Sequence, residues 1–182
     1  RPFLQSPKTT QEQLLQIFSV AKALNPIFLK NSQGIEVETH LEFPQDWGLG
    51  SSSTLINNIA NWAGVNPYEL LEKTMGGSGY DIACAAVKTP ILFHRDLHGF
   101  SPKTESKTLA AALTEQLVFV HLNQKQKSSS GIQQYKTQKT KHRELFKSSC
   151  KKIEALSVEM ASCTELTRFL ELMRLHETII SE

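Results

Sequence analysis

The stretch PQDWGLGSSSTLINN, Pro44 to Asn58, constrains this chain more than any other. Two glycines, Gly48 and Gly50, separate an alternating apolar run (Ile35, Val37, Leu41, Phe43) from a helical pattern that begins at three serines. The predicted order is therefore strand, glycine loop, helix N-terminus. Such a junction suits an anion, and phosphate is the natural guest. Glycine lets the backbone approach a ligand with no Cβ in the way, and the first N–H groups of a helix lack an intrahelical acceptor. The same residues also read as a tight strand-to-helix turn in which Ser51 caps the helix. A Walker loop is excluded, because it needs Lys directly before the Ser/Thr and no Lys occurs between Lys30 and Lys73.

Charge and cysteine usage narrow the class. Twenty basic residues against 18 acidic ones leave a net charge of +2, which gives no global pull toward nucleic acid or membrane. With 182 residues, 40% of them hydrophobic, the chain can bury one good core or two small ones. No apolar run approaches membrane-spanning length and no charged-then-apolar leader is present, so a soluble cytoplasmic protein is expected. The opening Arg1-Pro2, without Met, reads as a processed chain or part of a longer one. Cys84, Cys150 and Cys163 are odd in number and lack CxxC spacing, and the six histidines form no HExxH pair. Both observations argue against a disulfide framework or a zinc centre.

Taken in order, the apolar residues Leu14, Leu15, Ile17, Phe18, Val20, Ala21 and Leu24 predict a helix over 9–24 that Pro26 stops. IEVETHLEF, 35–43, alternates like a half-buried strand. Beyond the glycine loop, Leu55, Ile56, Ile59, Ala60 and Ala63 predict a helix over 52–63. Asn66 and Pro67 then supply the N-cap and first-turn proline of a short helix to about Met75. GGSG, Gly76 to Gly79, is a second glycine loop, and YDIACAAV behind it is helical, with Asp81 in its first turn. There the helix dipole favours the ionised carboxylate; the plainer reading is a helix-capping Asp. PILFHRD, 90–96, predicts a strand, 98–107 a polar loop and possible domain boundary, and LVFVHLN, 117–123, a buried strand. From Lys125 to Lys152 nine Lys/Arg face one acid, Glu144, on a helix starting near Ser128, Ser129 or Ser130. Such a charge run reads either as a polyanion site or as a solvated helix face. A last helix, 164–180, carries Leu166, Phe169, Leu170, Met173 and Ile180 as its expected core face.

The two glycine loops together resemble a known family. PQDWGLGSSS is similar to the second conserved motif of the GHMP kinases, the family named for galactokinase, homoserine kinase, mevalonate kinase and phosphomevalonate kinase, with Ser53 where the family has a small residue. GGSGYDIACA resembles the segment that carries the catalytic aspartate in the mevalonate and phosphomevalonate branch, and is closer to the phosphomevalonate form. LNQKQKSSSGIQQYK looks, more loosely, like the segment after the domain crossover. The resemblance covers about Ile35 to Tyr135. It implies an α/β (α+β) fold: a ribosomal-protein-S5-domain-2-like N-terminal domain, 1–100 here, joined to a ferredoxin-like C-terminal GHMP domain, 101–182. The family's first motif, Pro-Gly-Lys/Arg with a Gly-Glu element, has no counterpart before Pro44, nor does its third glycine-rich loop occur before Glu182. The chain is thus expected to be a middle portion of a longer kinase.

The resemblance also implies roles. Gly48, Leu49, Gly50, Ser51, Ser52 and Ser53 wrap the phosphates of ATP, and the Ser52 hydroxyl joins Glu72, or alternatively Glu69, on Mg²⁺. Asp81 orients and deprotonates the acceptor hydroxyl, or stabilises a lysine that does so. Ser78 and Gly79 shape the acceptor floor, and Lys125 and Lys127 are candidates for an acidic group on the acceptor. The activity implied is ATP-dependent phosphorylation of a small molecule, mevalonate or phosphomevalonate first and hence isoprenoid precursor synthesis. Homoserine or a sugar is the alternative acceptor. A different class is a non-catalytic relative that binds a nucleotide or metabolite; another, an S5-like RNA-binding domain, is disfavoured by Ser52 and Asp81. Partners expected are ATP and the small substrate, with no nucleic acid and no membrane; oligomeric state is not legible.

Overall fold

The computed structural model describes residues 9–31, 33–95, 101–123 and 128–181. Its elements are α1 (Thr10–Leu24), a single 3-10 turn (Gln45–Trp47), α2 (Ser51–Ala63), α3 (Pro67–Thr74), α4 (Tyr80–Ala85), β1 (Ile91–His94), β2 (Lys103–Ser106), α5 (Ala111–Thr114), α6 (Ser128–Lys141), α7 (Arg143–Ser162) and α8 (Leu166–Ser181). Strands β1 and β2 pair as a two-stranded sheet. The class is mixed and helix-rich, α+β. The chain divides into two units: one holds the described residues up to Gln45, Leu49–Lys88 and Phe93–Thr104, the other Asp46–Gly48, Thr89–Leu92 and those from Glu105 onward.

In the first unit local chemistry starts the helices and one core joins them. Thr9 and Glu12 close a reciprocal capping box at α1. Asn66 accepts the backbone N–H groups of Tyr68 and Glu69 at the start of α3, with Pro67 in the first turn, as its sequence predicts. Apolar side chains at helical spacing then meet: Ile17 and Ala21 from α1, Ile56, Ile59, Ala60 and Ala63 from α2, Leu70 and Leu71 from α3, Ile82 from α4, and Phe28 from the loop after α1. Phe18, Phe28 and Trp62 add an aromatic trio, with Trp62 edge-on to both phenylalanines at 6.0 and 5.1 Å between ring centroids. Gly64, at φ +65°, ends α2 in the left-handed conformation, and Asn25 donates from Nδ2 to the last carbonyl of that helix, Ala63 O, at 2.6 Å. The second unit buries Leu113, Phe169 and Leu172, with α8 packed on α7 and α5. On its surface Arg168 pairs with Glu159 at 2.7 Å and Glu171 at 3.0 Å.

Four expectations are corrected. Residues 35–43 form no strand: Ile35, Val37 and Leu41 are exposed and no ladder runs through them. Residues 117–123 form none either, and Phe119 is 99% exposed. The physical reason is shared. Alternation or an apolar run shows which side of a strand would be buried, but a strand exists only when its N–H and C=O groups meet a second strand, and that meeting is non-local. On α8 the buried face is Phe169 and Leu172, while Leu166, Leu170, Met173 and Ile180 stay exposed. The apolar stripe is wider than the neighbouring surface, so packing against α5 and α7 chooses which part is covered. Within the segment expected to be a polar loop, 103–106 is β2, paired with the predicted strand at 91–94.

Ile56 is fully buried at the centre of α2, whereas Leu15 on α1 is 63% exposed. Ile56→Ala is therefore expected to cost about 2–5 kcal/mol and Leu15→Ala no more than about 0.5 kcal/mol, both read from urea unfolding midpoints.

Candidate functional site

The two glycine loops lack the side-chain caps that start α1 and α3, a lack they share with α5 and α7, and differ from all four in placing a left-handed glycine at the N-cap. Gly50 is the N-cap of α2 at φ +76°, with no capping hydrogen bond from a side chain. Ser51 is already the first helical residue rather than the cap. The backbone N–H groups of Ser51, Ser52 and Ser53 thus open α2 with no side-chain oxygen in front of them, the arrangement that receives an anion. Thr54 turns its hydroxyl away, donating to Gly50 O at 3.1 Å. Leu49 is exposed. Gly48, at φ +73° with open space where a Cβ would project, falls in the second unit, so the described site begins at Leu49.

Asp81 occupies the first turn of α4 behind Gly79, the N-cap at φ +80°, again without a side-chain cap. The Tyr80 N–H is taken by Ser78 Oγ at 3.2 Å, which tightens the loop. Helix α4 packs on α2 through Ile82 and Ala83 on one side and Ile56 and Ile59 on the other. A Cβ on Gly50 would lie 3.9 Å from the Asp81 Cβ, so the carboxylate-bearing turn stands directly beside the open end of α2. Both Asp81 and Ser52 are exposed.

Beside Gly79 lies a shallow cleft of about 20 Å³, room for about one water, walled by Tyr68, Glu72, Ser78, Gly79, Arg95 and Pro102. Three residues singled out by sequence, Glu72, Ser78 and Gly79, come together here. Glu69 does not: it pairs along α3 with Lys73 at 3.7 Å, an exposed i,i+4 contact of small value. Among the described residues no group of three or more His, Cys, Asp or Glu side chains could hold a metal ion. Ser52 and Glu72 offer the type of oxygen donors Mg²⁺ takes beside substrate phosphates. Lys125 and Lys127 lie outside the described residues.

Sequence reasoning missed the aromatic wall and the cation. Burial and then the neighbouring Cys84 push the Tyr68 phenol above its ordinary value. The Tyr80 phenol is raised first by its hydrogen bond with Cys84, then by burial and by the charges of Cys84 and Asp81; both remain neutral through the physiological range. Tyr80 also meets Phe93 of β1 edge-on at 5.6 Å. Arg95, just past β1, donates from Nη1 to Gly77 O at 2.8 Å. No spacing rule joins these residues, which the chain reversal between α4 and β1 brings together.

Comparison with protein-family models, with curated proteins and with solved structures finds no match.

Gly79 needs its missing side chain twice, since a Cβ there would sit 2.9 Å from Tyr68 Cδ1 on top of its positive φ. Gly76, at φ +69°, has open space instead. Gly76→Ala is expected to cost about 1–2 kcal/mol for the left-handed backbone alone. Gly79→Ala is expected to cost more, and to shift the Tyr68 ring in a proton NMR spectrum.

Proposed function

We propose that this chain is the phosphate-loop and acid–base portion of an ATP-dependent small-molecule kinase of the GHMP type. In this reading residues 1–100 belong to the S5-like domain and 101–182 to the ferredoxin-like domain. The first acceptors to consider are mevalonate and phosphomevalonate, so the protein would serve isoprenoid precursor synthesis in the cytoplasm. The observation that carries the reading is the adjacency of the uncapped start of α2 at Gly50 and the first-turn Asp81 of α4, with 3.9 Å between a Cβ at Gly50 and that of Asp81. The two loops are separated in sequence by α2 and α3, and the packing of α4 on α2 brings them together.

Phosphoryl transfer asks the protein for position and for neutralisation of charge on phosphate oxygens. The backbone N–H groups of Ser51, Ser52 and Ser53, with Leu49 and Gly50 before them, supply fixed donors that need no reorganisation as charge moves; the family resemblance adds Gly48 to the proposed set. Mg²⁺, when bound, shields the phosphate oxygens, and Ser52 and Glu72 are the residues to hold it. Asp81, in the first turn of α4, takes the proton where the accepting group is a hydroxyl, as in mevalonate; a phosphate acceptor has no such proton to give up. Ser78 and Gly79 shape the floor of the acceptor cleft, and Lys125 and Lys127 complete the proposed set of acceptor residues.

The test is ADP release by the native full-length protein from Mg-ATP with mevalonate, phosphomevalonate, homoserine and galactose in turn. Turnover on one acceptor is expected, and Asp81→Asn should lower kcat by about 10²–10⁴ with little change in the KM for ATP. A loss below about tenfold removes Asp81 from the role. ATP binding with no turnover on any acceptor favours the non-catalytic relative.

A further inference from the structure

Arg95 has no assigned task, yet among the described residues it is the one cation walling the cleft beside Gly79. Its Nη1 is fixed on Gly77 O at 2.8 Å, so the guanidinium is held by the same glycine loop that leads into α4. Among the described residues no carboxylate pairs with it: the arginine ion pairs there belong to Arg168. A guanidinium has five N–H donors in a planar fork, and one backbone carbonyl occupies a single donor. The remaining edge matches the spacing of two oxygens on a carboxylate or phosphate. Of the other walls, Ser78 contributes a hydroxyl whose oxygen already accepts the Tyr80 N–H at 3.2 Å, leaving its proton to donate, and Tyr68 contributes an aromatic side chain. Gly79 is at once a wall of the cleft and the N-cap of the helix that carries Asp81. A ligand group held at the mouth of this small cleft therefore abuts the segment bearing the proposed base.

We infer that Arg95, bonded to Gly77 O, binds the carboxylate or phosphate of an acidic acceptor at the mouth of the cleft walled by Tyr68, Glu72, Ser78 and Gly79. The inference rests on the kinase reading for the word acceptor, but the anion site stands on its own geometry. Glu72 also lines the cleft and, without Mg²⁺ on it, disfavours a second anionic group there, so mevalonate, with one carboxylate and an uncharged hydroxyl at the other end, suits the cleft better than phosphomevalonate, which is anionic at both ends. A sugar without an acidic group gains nothing from Arg95.

Binding and turnover separate the two ideas. Calorimetric titration of the full-length protein without nucleotide, using mevalonate, phosphomevalonate and galactose, is compared for wild type, Arg95→Gln and Arg95→Lys, with melting temperatures to verify folding. At least one of the acids is expected to bind wild type. Arg95→Gln should weaken it about tenfold or more, as loss of a charge-assisted pair does, and Arg95→Lys should weaken it less. Any galactose affinity should be unaffected by either change, which a merely loosened Gly77 loop would not produce. Failure of both acids to bind, or acid affinity within about twofold of wild type in Arg95→Gln, overturns the inference. Arg95-dependent acid binding with no ADP release from Mg-ATP overturns the kinase reading and leaves the anion site standing. ADP release with an acceptor KM indifferent to Arg95→Gln does the reverse.

Discussion

The close approach of α2 to α1, α3 and α4 is the contact on which the first unit depends. Ala60 and Ala63 are buried between Ile56 and Ile59, and alanine at such a crossing lets helix axes come nearer than a larger side chain would. Asn25 bonding Ala63 O and Gly64 ending the helix set one end of α2. Once that end and the core face are fixed, the opposite end is fixed too, and it is the end that begins at Gly50. Helix α4 is short and contributes Ile82 and Ala83 to the interior. Its own six residues could not hold a helix in water, so the position of Asp81 is a consequence of packing on α2.

The helix starts of the first unit are of two kinds. Helices α1 and α3 begin with side-chain caps at Thr9 and Asn66. Helices α2 and α4 begin with left-handed glycines, which offer no side-chain cap, and at α4 Ser78 takes the first N–H from outside the helix. A Ser, Thr or Asn at either position would add a capping bond at the expense of an oxygen lying where a ligand would sit. Local rules of stability are commonly set aside at functional sites, and both departures here occur side by side. The second unit shows the opposite economy: α6 and α7 carry the basic run on exposed positions, in keeping with a solvated face.

Much of this organisation was legible in the residues. Helical spacing located α1, α2, α3 and α4 to within a residue or two, because each has a local start signal and a one-sided apolar pattern. The glycine loops and Asp81 were legible for the same reason, since positive φ and a first-turn carboxylate are written in one or two adjacent residues. Tyr68 and Arg95 were not. They join the site through a cleft formed by α3, the Gly76–Gly79 loop and the end of β1, and nothing in their spacing announces it.

By itself, then, the sequence determined where helices begin and end, that two glycine loops precede two helix N-termini, and which residues there could do chemistry. These are consequences of backbone sterics and of contacts between residues a few positions apart. Tertiary structure alone decided that Gly50 and Asp81 are neighbours, that Glu72 rather than Glu69 faces the cleft with Ser78, and that the apolar runs at 35–43 and 117–123 are not strands. Each of those outcomes depends on which distant segment lies alongside, and a side chain's own propensity carries no record of its non-local partner.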